Sequence, residues 1–191
     1  MPDGQPRTGA ACYLAVACGY SHTVALRGDG RVFAIGASPD GRCDTAAWHD
    51  VVDIACGVRH TAAVLSDGHC VATGDNSRGQ CAVGDWENVV MIACGEFHTA
   101  GVTADGRVLI AGNAGGEACR VEDLRDVISV ACLPEATVCV HADGHMTVRG
   151  GDGMLAEAVA PIRDAVAVDG KEYRLAVLTV DRRVLFLPGT E

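Results

Sequence analysis

A period of 38 residues runs through the chain from one end to the other. Asp29-Gly30, Asp67-Gly68, Asp105-Gly106 and Asp143-Gly144 stand 38 residues apart, and Asp181-Arg182 falls on the next step. The same interval separates Cys18, Cys56, Cys94 and Cys132, then His22, His60 and His98, then Cys43, Cys81 and Cys119, and also Trp48 and Trp86. No insertion breaks the register. Five units fill the 191 residues and leave no room for a second domain: 10–47, 48–85, 86–123, 124–161 and 162–191, with residues 1–9 placed to close the last unit. A fixed period of this size belongs to solenoids and propellers, in which one supersecondary unit stacks on its neighbours.

The second unit shows what the repeated element is. Val51–Cys56 and His60–Leu65 are short, alternating and rich in β-branched residues, with Gly57 between them, so they read as two strands. Ser66-Asp67-Gly68 supplies a tight hairpin, because Asp and Gly tolerate a positive φ. A third strand is predicted from His69 to Gly74, then a polar loop Asp75–Gln80, then a short outer strand over Cys81-Ala82-Val83. No stretch sustains helical periodicity. A sheet of three or four short strands cannot bury both faces alone, so the units must stack radially, which predicts an all-β, five-bladed β-propeller. In that ring, residues near Gln5-Pro6-Arg7 occupy the register place of the last blade's outer strand. Trp48, Trp86, Leu124 and Ile162 share one slot and are expected to pack between blades. Asp50, Asn88, Asp126 and Asp164 share another, where a side-chain acceptor would close an Asx turn.

Composition narrows the function. About half of the residues are apolar (49%), yet no run approaches the length of a membrane span. Met1–Pro6 lacks the basic-then-apolar order of a signal peptide, so a cytoplasmic protein without a membrane partner is expected. A formal charge of −10 disfavours nucleic acid, which needs a basic stripe. Seven of the ten cysteines recur at two places in the repeat and read as free, packed thiols. There is no Gly-x-Ser-x-Gly elbow, phosphate loop or His-Glu-x-x-His, and Gly150-Gly151-Asp152-Gly153 reads as a turn. The reading is therefore non-enzymatic, with no catalytic residues and no cofactor. Cys18-x-x-x-His22, Cys56-x-x-x-His60 and Cys94-x-x-x-His98 bring zinc-type ligands toward the axis, so a metal or small-ligand site there stays open as an alternative. Against it, the spacing is not a standard ligand spacing, and framework His and Cys are expected instead.

Ile54-Ala55-Cys56-Gly57-Val58-Arg59-His60-Thr61-Ala62-Ala63-Val64, followed by Asp67-Gly68, Gly74-Asp75-Asn76 and Gly79-Gln80-Cys81, resembles the short bacterial form of the regulator of chromosome condensation repeat. The fourth and fifth units depart from it: Leu133-Pro134-Glu135-Ala136 replaces Gly-x-x-His, Asp169–Arg174 lacks the motif, and Arg182 stands at the hairpin glycine. The resemblance implies a propeller, commonly of seven blades, so five units imply a smaller ring, a truncated one, or one completed by another chain. Guanine-nucleotide exchange and chromatin docking, implied by the founding family member, require inserted loops for which a gapless repeat has no room. Propeller-type β-lactamase inhibitory proteins of soil bacteria are similar in repeat length and imply a scaffold that binds a protein with loops on one face. By that analogy the variable pairs between framework Gly and His form the contact surface, namely Tyr20-Ser21, Val58-Arg59, Glu96-Phe97 and Pro134-Glu135, joined by loop residues Asp40, Arg42, Arg78 and Glu117. The predicted partner-binding set is Tyr20, Ser21, Asp40, Arg42, Val58, Arg59, Arg78, Glu96 and Phe97, facing an unidentified protein.

Overall fold

The hairpin glycines adopt the left-handed backbone that their position demands: φ is 77° at Gly30, 85° at Gly68, 76° at Gly106 and 85° at Gly144. Each hairpin joins two strands, and a preceding strand completes an antiparallel trio. The computed structural model describes residues 12–113, 116–172 and 174–188, and the expected closure by residues 1–9 lies outside the described residues. The blades are β1 (Tyr13–Cys18), β2 (His22–Arg27) and β3 (Val32–Gly36); β4 (Val51–Cys56), β5 (His60–Leu65) and β6 (Cys70–Gly74); β7 (Val89–Cys94), β8 (His98–Thr103) and β9 (Val108–Gly112); β10 (Val127–Cys132), β11 (Ala136–His141) and β12 (Met146–Gly150); β13 (Ala165–Lys171), β14 (Arg174–Thr179) and β15 (Val184–Pro188). Every strand pairs only with its chain neighbours, giving five three-stranded sheets and the expected five-bladed β-propeller. The first strand of each blade lines the central axis.

Three local expectations are corrected. Cys81–Val83 is a turn rather than an outer strand: Asn76 Oδ1 accepts the Cys81 N–H at 2.8 Å and Gly79 O accepts the Ala82 N–H at 3.0 Å, so the segment satisfies itself instead of pairing. In the fourth unit this stretch is a short helix, α1 (Met154–Val159), started by left-handed Gly153 and carried by Leu155-Ala156-Glu157-Ala158, good helix formers. The Asp50, Asn88 and Asp126 slot serves backbone geometry, since φ is 57°, 59° and 55° there. Asx residues tolerate that region, and a Cβ on Gly30 would stand 3.0 Å from the Asp50 Cα, so hairpin and slot fit each other. The irregular fourth and fifth units keep the blade, with Leu133 N–H bonding Ala136 O at 2.8 Å and Arg182 turning the last hairpin at φ 64°.

Four buried clusters hold the blades together, one in each of the first four seams. Each seam is capped from outside by a turn whose first and fourth residues point inward: Thr45 and Trp48, Val83 and Trp86, Val121 and Leu124, Val159 and Ile162. The turn closes on itself, the fourth N–H reaching the first carbonyl at 3.0, 3.1, 3.0 and 2.9 Å. Side chains also cross each seam to the next blade. His22, His60 and His98 Nε2 meet Thr61, Thr99 and Thr137 Oγ1 at 2.9, 2.8 and 3.1 Å. Asp53 accepts the Ile92 N–H at 3.0 Å, and Ser129 Oγ accepts the Val168 N–H at 3.1 Å. No such cluster joins the fifth blade to the first among the described residues.

Candidate functional site: the axial mouth

Gly-x-x-His builds the turns at one end of the axis. The His ring folds back over the glycine, so that a Cβ on Gly57 would stand 2.3 Å from His60 Cε1 and 2.5 Å from the carbonyl of Gly95. No side chain but hydrogen fits. The Thr61, Thr99 and Thr137 hydroxyls donate to the carbonyls of Arg42, Gln80 and Ala118 at 2.7, 2.8 and 2.7 Å, so each must accept from the His Nε2–H. That assigns the tautomer and leaves each Nδ1 buried without a hydrogen-bond partner. Burial accordingly pushes His60 and His98 down to about 4, and His22 is lowered by burial and by the cations Arg42 and Lys171.

The paired residues between Gly and His are thereby held around a cavity of about 570 Å³ at the axis, lined by Tyr20, Ser21, Arg42, Val58, Arg59, Glu96, Pro134 and Lys171 among others. Six of the nine predicted binding residues converge here. Tyr20 is 73% exposed on the rim. Arg42, in contrast, is buried: its guanidinium grips Asp40 bidentately and donates to Ser21 Oγ at 2.9 Å and Val58 O at 3.0 Å, which lowers the Asp40 carboxyl and clamps the first blade to the second. Asp40, Arg78 and Phe97 stand outside the cavity lining, and Arg78 lies over the Phe97 ring at 4.7 Å.

Sequence reasoning missed Lys171. It is the only lysine of the chain and fills the slot that glycine holds in the first three units. A side chain is admissible there because the fifth unit has Arg174 where the ring of a histidine would lie. Its ammonium donates to the carbonyls of Cys18 and Cys56, spanning from the fifth blade to the first and second. The signal was present in the break of the motif at Asp169–Arg174.

The thiols at the axial strand ends do not form a reactive ring. Burial pushes Cys56 up to about 12 and raises Cys94 and Cys132 as well, and protonated thiols are poor nucleophiles and ligands. Cys56 and Cys132 Sγ lie 3.4 and 3.6 Å from the carbonyls of Ala17 and Ala93 in the preceding blade. Among the described residues no group of three or more His, Cys, Asp or Glu could hold a metal ion. No described helix is long and apolar enough to cross a membrane.

No curated protein sequence matches the chain. Solved propellers do. Human WBSCR16 superposes with a TM-score of 0.73 at 20% identity over 92% of this chain and 61% of its own. The ectodomain of the Arabidopsis thaliana receptor kinase ACR4 gives 0.71 at 18% over 97% and 67%, and Prp20p of Saccharomyces cerevisiae gives 0.60 at 22% over 76% and 47%. The chain thus spans about half to two thirds of these longer propellers, which share its fold. The regulator of chromosome condensation (RCC1) repeat matches residues 14–42, 51–80 and 89–115, one match in each of the first three units. On those three matched repeats and the propeller they build, the chain belongs to the RCC1 repeat family.

Proposed function

We propose that the protein is a non-enzymatic binding module that receives a partner protein at the axial mouth, using the loops between Gly and His. The observation that carries this reading is the convergence of Tyr20, Ser21, Val58, Arg59 and Glu96 on one cavity over a rigid floor. Aromatic and Arg side chains are the usual anchors of protein interfaces, and a scaffold of locked turns positions them at little entropic cost. Prp20p, described for its binding to Gsp1p and histones, supports a protein as the kind of partner. The acidic charge favours a partner other than nucleic acid, and a cytoplasmic setting suits ten free thiols, where reducing conditions keep them so.

Affinity capture from host lysate tests the reading, comparing the native chain with Tyr20→Ala/Arg59→Ala/Glu96→Ala and with Arg78→Ala/Phe97→Ala. A protein retained by the native chain and lost by the triple variant at unchanged melting temperature supports the axial mouth. Retention that survives the triple variant removes it.

A further inference from the structure

The fifth seam is open. On the fifth blade, Leu178, Val184 and Phe186 are 39, 50 and 82% exposed, whereas Val64 and Cys70, which hold the first two of these places in the second blade, are 0 and 4% exposed. On the facing side of the first blade, Val16 is 64% and Phe33 47% exposed, against 7% for Ile54, the counterpart of Val16. Between the two blades lies a groove of about 1000 Å³, lined by Cys18, Gly19 and Tyr20 on one side and by residues including Ala176, Phe186 and Leu187 on the other. A set of apolar side chains this size rimmed by polar residues marks an interaction site.

The other four seams state what fits such a groove. In each, a single turn inserts residues one and four, and those residues are 1 and 9% exposed in Val83/Trp86, 4 and 5% in Val121/Leu124, and 2 and 8% in Val159/Ile162. One step of the period before Thr45 and Trp48 the chain carries Arg7 and Ala10, a cation and a methyl group in place of two large inward-pointing side chains.

We propose that the groove between the fifth and first blades is a second interaction surface, which takes from a partner protein a one-turn segment with apolar side chains at its first and fourth positions. Phe186 and Leu178 pack against them as Ala72 and Val64 pack against Val83 and Trp86. The surface is separate from the axial mouth, and a partner could engage both.

The test uses the full-length chain and a fluorescein-labelled peptide copying residues 82–89, Ala-Val-Gly-Asp-Trp-Glu-Asn-Val, followed by anisotropy. Saturable binding is expected, weakened about tenfold or more when the peptide Val and Trp are replaced by Ser, or when the protein carries Phe186→Glu. Phe186 is on the surface, so that variant keeps its melting temperature, and Tyr20→Ala/Arg59→Ala/Glu96→Ala leaves peptide binding unchanged. The proposal is overturned by absence of saturable binding up to millimolar protein, or by binding indifferent to Phe186→Glu. It is equally overturned if binding appears only in Arg7→Glu/Ala10→Glu, which would make residues 1–11 the occupant. Sedimentation showing a dimer that Phe186→Glu dissolves would assign the groove to a second copy and overturn it too.

Discussion

His60 shows how much a repeated residue can fix. Its Nε2–H is spent on Thr99, its Nδ1 is buried without a partner, and its ring excludes any side chain from position 57. Protonation would place a charge and a second N–H where nothing accepts it. The folded pKa of about 4 at His60 and His98 lies below the ordinary value of 6.5, so the neutral ring stabilises the fold in full above pH 6.5. That stability drains as pH falls from 6.5 toward 4, by up to about 1.4 kcal/mol per pH unit per site. Urea unfolding at pH 7.5, 6.5 and 5.5 should show a midpoint that is level over the first step and drops over the second; a level profile throughout would mean the rings are charged in the fold. The Gly-x-x-His framework was legible in the sequence as a structural motif. The ring's tautomer and its partner 39 residues on were not, because the period shows that blades are alike but not which atoms face across a seam.

Among the elements, the capping turns differ most from expectation. Cys81–Val83 looked like a strand because its residues are small and apolar, but strand pairing needs a free edge and this segment spends its N–H groups on Asn76 and Gly79. The helix α1 escaped notice because six residues are too few to display a 3.6-residue period. The shared slot of Trp48, Trp86, Leu124 and Ile162 was legible, and all four pack in seams. Trp86 lies against Gly101, where a Cβ would stand 2.8 Å from the indole, and it is 9% exposed. Trp86→Ala should therefore cost about 3–5 kcal/mol. Trp48, only half-buried, should cost less on the same change; denaturant melts that rank the two equally would show that the turns do not seal the seams.

For the whole molecule, blade number followed from the period alone, whereas the open seam could not. It depends on the rotation from blade to blade, a sum of small packing angles that no single residue announces. Lys171 supplies the only hydrogen bonds that join the fifth blade to the first two among the described residues. Lys171→Met keeps the stem and removes the donors, and the expected loss is about 1–2 kcal/mol. Amide exchange should accelerate in β1 and β13 while β7 and β8 keep their protection; acceleration spread evenly over all blades would show a general rather than a local role. The bonds across the other seams all run one way, from His, Asp or Ser of one blade to the blade that follows. Each blade consequently carries both halves of a single junction. A unit can be duplicated or excised in the gene without a new interface having to arise, and the two faces left bare at the ends are the same pair whatever the copy number.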